Sequence, residues 1–146
     1  MSGIPDELPL FYRRLTQLLA ARKPLRGDRD VAAFVRSGVR SEAIRHLARA
    51  GLGPRHLATV VPPRTLTHRR QRRERLSPDE SDRAVRLARI VVLAETIFGD
   101  HDAAIAWLST AKRRFDGASP LDTAASEAGA RLVEDALWQA DEGYFA

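Results

Sequence analysis

Apolar residues in this chain recur at helical spacing in short stripes, and a proline or glycine cuts off almost every one. Phe11, Leu15, Leu18 and Leu19 fall at i, i+4, i+7 and i+8, which lines one face of a helix that Pro24 ends near Lys23. Val31, Phe34 and Val35 form a second stripe closed by Gly38. Ile44, Leu47 and Ala48 form a third, opening after Ser41 and closing at Gly51. Leu57, Val60 and Val61 follow Pro54, and the pair Pro62-Pro63 forces a break before helix formers resume over Arg64 to Arg75. No run alternates polar and apolar residues between turn signals, so the fold class is all-α.

The second half begins with a strong start signal. Ser77-Pro78-Asp79-Glu80 is a capping box with proline at the first helical position, where a missing N–H costs nothing. Between Ala84 and Phe98 the apolar residues are too many for one stripe, which predicts a central helix buried on several sides and stopped by Gly99. Asp100 can cap a further helix carrying Ala104, Ile105, Trp107 and Leu108. Ser119-Pro120 repeats the cap-plus-proline start, and Leu132, Val133, Ala136 and Leu137 supply the last apolar face. The reading divides the chain into an N-terminal helical extension (1–38), a helix-turn-helix domain (39–76) and a C-terminal domain with a tail (77–146).

Charge divides along the same line. Residues 1–76 hold 17 Lys and Arg against 6 Asp and Glu, and residues 77–146 hold 7 against 13, so a half at +11 meets one at −6 within a net charge of +5. Arg64, Arg69, Arg70, Arg72, Arg73 and Arg75 lie within 12 residues, with Glu74 the one acid among them. A helix presenting them would neutralise several phosphates. The alternative is a solvated basic linker, but Leu66 offers that helix an inward anchor, and Thr65, Thr67 and His68 are types that hydrogen-bond base edges or phosphates. The natural reading is a helix-turn-helix, with Leu57-Ala58 in its first helix and Arg64 to Gln71 as its recognition helix, prolines replacing the usual glycine of the turn. The DNA-binding set is therefore Arg64, Thr65, Thr67, His68, Arg69, Arg70, Arg72 and Arg73. Arg72, Arg73 and Arg75, near the helix end, are assigned to backbone phosphates. RNA binding is a weaker reading, because no aromatics are interleaved with the arginines for stacking.

Catalytic chemistry finds little support. Zero cysteines exclude thiolate nucleophiles and Cys-ligated zinc. His46, His56 and His101 are scattered without partners at ligand spacing, and no GxGxxG, GxxxxGK[ST] or supported Ser/His/Asp set occurs. The chain is read as a non-enzyme without cofactor or metal. No apolar stretch approaches the roughly 18 residues a membrane span needs, and the first ten residues lack the form of a signal peptide. The expectation is a cytoplasmic protein with no membrane partner. Trp138, Tyr144 and Phe145 place three aromatics in the last nine residues, which suits either a partner interface or docking onto the chain's own domain. The apolar helices of the C-terminal half also predict a homodimer.

Residues from Arg64 to Gly143 resemble the Xre/MbcA/ParS antitoxin family, particularly the Xre-type members paired with RES-domain toxins. The matching elements are Arg64-Thr65-Leu66, Arg69-Arg70, Leu76-Ser77, Glu80-Ser81-Asp82-Arg83, Arg86-Leu87-Ala88-Arg89, Ala94 and Phe98-Gly99-Asp100. They continue with Ala104, Trp107-Leu108, Pro120-Leu121, Gly129-Ala130, Val133-Glu134 and Gly143. The resemblance implies a DNA-binding helix-turn-helix followed by a helical toxin-binding domain. It also implies a RES-domain toxin that attacks NAD, an antitoxin segment that covers the toxin's cleft, and repression of the shared operon by a toxin-bound oligomer. The expected partners are thus a RES-domain toxin, operator DNA and a second copy of the chain within a larger hetero-oligomer. The toxin-binding set is Arg131, Trp138, Glu142, Gly143, Tyr144, Phe145 and Ala146. A stand-alone dimeric helix-turn-helix transcriptional regulator is the competing reading, with two basic helices on half-sites about one DNA turn apart.

Overall fold

In the computed structural model, residues 9–141 are described. They form helices α1 (Leu10–Leu18), α2 (Asp28–Ser37), α3 (Glu42–Arg49), α4 (Pro54–Val60), α5 (Pro63–Gln71), α6 (Pro78–Phe98), α7 (His101–Ser109), α8 (Pro120–Thr123) and α9 (Glu127–Gln139), with a 3-10 turn at Arg113–Phe115. No strand occurs among the described residues, and none of their helices is long and apolar enough to cross a membrane. The chain divides into two compact units, Met1–Ala88 and Arg89–Ala146, so the division falls inside α6.

In the first unit α1 packs on α3, and α3 on α4. Leu15, Leu19, Val39, Leu47, Val60, Val61, Leu76 and Ala84 are fully or almost fully buried there. Polar ties fix the links. Thr16 Oγ1 accepts from the Leu25 N–H at 2.9 Å, His46 Nδ1 lies 3.0 Å from the Gln17 carbonyl, and Tyr12 donates its hydroxyl to Asp28 at 2.8 Å. α1 ends at Leu18, well before Lys23 where proline alone would stop it. Ala20 turns left-handed (φ 52°), and the Ala20 and Ala21 N–H groups fold back onto the carbonyls of Gln17 and Thr16. This is a Schellman ending with alanine in the place glycine usually takes.

A second fastening joins the start of α6 to the link between α2 and α3. Gly38 adopts φ +93°, and a Cβ there would come within 2.8 Å of the Leu76 carbonyl oxygen. Leu76 N–H donates to the Val39 carbonyl at 2.8 Å, Arg75 Nη1 donates to the Gly38 carbonyl at 3.1 Å, and Val39 N–H donates to Ser81 Oγ at 2.8 Å. Ser81 is wholly buried, so its hydroxyl satisfies a backbone donor that water cannot reach.

The second unit is built on the C-terminal part of α6, where Ile90 through Ala94 are all buried, as its all-round apolar sequence predicts. α7 packs on α8 and α8 on α9. Asp100, Ser119 and Ser126 cap α7, α8 and α9 by accepting from the N–H groups of Ala103, Asp122 and Gly129. The turn between α8 and α9 is so tight that a Cβ on Gly129 would fall 1.7 Å from the Thr123 carbonyl oxygen.

Candidate nucleic-acid and protein interfaces

α4 and α5 are joined by two residues, Val61 and Pro62, both extended (φ −149°, ψ 129° and φ −57°, ψ 143°). Proline forbids its predecessor the helical region, so Val61 must open out, and Pro63 then starts α5 at its first position. Val60 and Val61 are buried, which anchors the turn in the core. From α6, Arg83 Nε donates to the Val60 carbonyl at 3.0 Å and closes the end of α4. Two prolines and a buried valine thus set the helix-to-helix angle that glycine sets elsewhere.

α5 buries none of its residues. Arg64, Thr67, His68 and Gln71 are exposed and share one face by helical spacing. Thr65, Leu66 and Arg69 are half-buried, and Thr67 Oγ1 donates back to the Pro63 carbonyl at 3.0 Å. The helix stops at Gln71, the end that the sequence suggests for it, and the arginine run continues beyond. Arg73 turns left-handed (φ 56°), and the N–H groups of Arg73 and Glu74 bond the carbonyls of Arg70 and Arg69. Arg72 therefore caps the helix, and Arg73 stands on the turn beyond it.

Arg69 is engaged within the unit. Its Nε and Nη2 lie 2.8 and 3.2 Å from the two oxygens of Glu80, and its Nη1 lies 3.5 Å from Glu74. Glu80 is 7% exposed. It also accepts from the Ser77 N–H at 2.8 Å while Ser77 Oγ accepts from the Glu80 N–H at 3.1 Å. The capping box legible in the sequence thus has a second duty, pinning α5. Burial by itself raises the Glu80 carboxyl, but the Arg69 and Ser77 hydrogen bonds outweigh it and hold the group below the ordinary glutamate range.

On α9 the residues facing inward are Gly129, Ala130, Val133, Ala136 and Leu137. Leu132, expected with that core, is 58% exposed, and Trp138 is 50% exposed. Helical spacing puts both on the outward side with Arg131 and Asp135. Arg131 Nε lies 3.7 Å from Glu127 in an exposed i,i+4 pair, so its charge is largely solvated. Glu142, Gly143, Tyr144, Phe145 and Ala146 lie outside the described residues. Of the histidines, His101 bonds Glu95 through Nδ1 and His46 bonds the α1 backbone. No group of three or more potential metal ligands occurs among the described residues.

Two family profiles match the chain in tandem. Residues 30–89 match the antitoxin Xre-like helix-turn-helix domain. Residues 93–143 match the antitoxin Xre/MbcA/ParS C-terminal toxin-binding domain. Antitoxin Xre of Pseudomonas putida is 35% identical over 134 residues, covering 91% of this chain and 84% of that protein. Antitoxin Xre of Yersinia enterocolitica is 37% identical over 90 residues, 61% of each chain. An all-helical chain with a helix-turn-helix domain ahead of a toxin-binding domain, and with a relative this similar over nearly its whole length, belongs to the Xre/MbcA/ParS antitoxin family.

Proposed function

We propose that this chain is the antitoxin of a type II toxin–antitoxin pair that binds and sterically inhibits a RES-domain, NAD-degrading toxin in the cytoplasm and represses its own operon through α5. The observation that carries this reading is the union, on one chain, of a helix-turn-helix whose second helix is basic and keeps Arg64, Thr67 and His68 exposed with a toxin-binding domain whose last helix exposes Leu132 and Trp138. Large exposed apolar side chains on one helix face favour a protein partner, with tryptophan the residue type most often found at the energetic centre of an interface. Steric inhibition needs no catalytic group. On the DNA side, we assign Arg64, Thr67 and His68 to base edges and phosphates, and Arg70, Arg72 and Arg73 to phosphates alone.

The test is affinity purification from the native cell, followed by assay of NAD consumption by any co-purifying protein before and after this chain is stripped away. A partner that consumes NAD only when freed supports the reading. Recovery of the chain with DNA and no toxin would overturn it in favour of a stand-alone dimeric regulator.

A further inference from the structure

A cleft of about 500 Å³ opens beside the C-terminal end of α5, and Arg22, Arg40, Arg45, Arg70, Arg73 and Arg75 line it. Only two carboxylates share it, Glu42 and Glu74. Each is already matched, Glu42 by Arg40 at 3.3 Å and Glu74 by Arg69 at 3.5 Å. Arg45, Arg70 and Arg73 have no carboxylate within ion-pair distance among the described residues. Such a concentration of like charge is repulsive unless an anion relieves it.

Helix dipoles explain part of this arrangement. Arg70 and Arg73 lie at the C-terminal end of α5, where cations are favourable. Arg22, Arg40 and Arg45 have no such reason to be there, since they come from the α1–α2 link, the approach to α3 and the body of α3. The fold brings them together deliberately on its own scale of costs: the Thr16 hydroxyl holds the link carrying Arg22, and the Gly38 fastening holds Arg75 against the approach to Arg40. Guanidinium groups converging from several elements offer forked donors of the kind that suit phosphate oxygens.

We propose that this cleft takes the sugar-phosphate backbone of DNA beyond the segment that α5 enters, so that the N-terminal extension joins the DNA interface through Arg22. The inference rests on α5 being the DNA-contacting helix and adds a phosphate-holding surface to it. Arg22 lies outside the residues matched to the helix-turn-helix family domain, so that domain assignment does not include it. The cleft adjoins Arg70, one third of a turn round α5 from the outward face of Arg64, Thr67 and His68, which places backbone and groove contacts side by side.

The experiment measures binding of the full chain to a mixed-sequence DNA duplex across a series of salt concentrations, for wild type, R22Q/R45Q and R64A/H68A. Both glutamine positions are exposed, and a thermal melt confirms that each variant is folded. The expected result for R22Q/R45Q is a salt slope flatter by roughly two units, about one per lost phosphate contact. If wild type shows no salt-dependent duplex binding, the DNA reading of α5 itself fails and this inference with it. If R64A/H68A weakens binding while R22Q/R45Q keeps the wild-type slope, only the cleft assignment is overturned. A loss seen with duplex RNA or inorganic pyrophosphate as the probe, while the duplex DNA slope stays intact, would also overturn it.

Discussion

Arg69 and Glu80 grip each other through two hydrogen bonds of 2.8 and 3.2 Å, joining α5 to the first turn of α6. Because one guanidinium is spent in this way, neighbouring arginines on α5 differ in kind. Arg69→Ala is expected to lower stability by about 1–3 kcal/mol, as for loss of a partly buried charge-assisted bond, and to leave the salt slope of DNA binding nearly unchanged. Arg70→Ala is expected to do the reverse, flattening the slope by roughly one unit with little change in stability. Urea denaturation and salt-dependent binding on the same two variants check both halves.

The same pair gives the protein an acid-sensitive joint. The folded state holds the Glu80 carboxyl below its ordinary value, so its stabilisation is present above the unfolded-state pKa and is lost as pH falls through the folded one. Stability from the first unit should therefore decline in the acid range, below about pH 4, and Glu80→Gln should remove that part of the decline. Glu134 behaves oppositely. Burial raises its carboxyl, with Arg89 offsetting part of the effect, so its favourable contribution exists at low pH and disappears as pH rises through the folded value. Glu134→Gln is expected to give a small gain at neutral pH, read as a shift in denaturation midpoint.

Gly129 reverses a familiar rule. Alanine in place of glycine within a helix ordinarily gains about 1 kcal/mol. Here the added methyl would fall 1.7 Å from the Thr123 carbonyl oxygen, and only displacement of α8 or α9 could relieve it. Gly129→Ala is expected to destabilise the second unit by about 3 kcal/mol or more, measurable by thermal melting.

Two helices end on non-glycine residues in the left-handed region, Ala20 at φ 52° and Arg73 at φ 56°. Ala20→Gly and Arg73→Gly are each expected to raise stability by about 1 kcal/mol, because the Cβ penalty of that conformation exceeds the extra chain entropy of glycine. For Arg73→Gly the gain in melting temperature should coincide with weaker duplex binding. That opposition separates a cation kept for function from one kept for folding.

Trp138→Ala and Leu132→Ala should leave the melting temperature almost unchanged, since both side chains stand half or more in solvent. If α9 meets the toxin through this face, Trp138→Ala is expected to weaken toxin binding by about 2 kcal/mol or more, read by calorimetric titration. Equal affinity for the variant and wild type would remove the outward side of α9 from the interface.

Most helix starts were legible because each rests on local chemistry. Ser77-Pro78, Asp100 and Ser119-Pro120 all begin helices as their side chains dictate. Helix ends were harder. Pro24 marks a position helix α1 cannot pass, yet the chain turned earlier at Ala20. An Ala or Arg in the left-handed region carries no compositional signature, unlike Gly51 at the end of α3. Arg69 shows the same limit at the site: its charge is visible in the sequence, but its distance to Glu80 depends on how α5 leans on α6. Leu132 was misplaced into the core because apolar character alone cannot tell an inward side chain from an outward one.

The fastening of Gly38 and Val39 to Leu76 and Ser81 decides how portable the helix-turn-helix part of this molecule can be. Helices α3, α4 and α5 leave and re-enter the body through a single neck, whose two sides are about forty residues apart in sequence. A chimera with a single seam between Val39 and Ser81 would join one protein's glycine to another's serine position, and a residue there without a hydroxyl would leave the buried Val39 N–H without its acceptor. An exchange that begins before Gly38 and runs past Ser81 carries the neck intact, and specificities swapped between relatives along those seams should arrive folded.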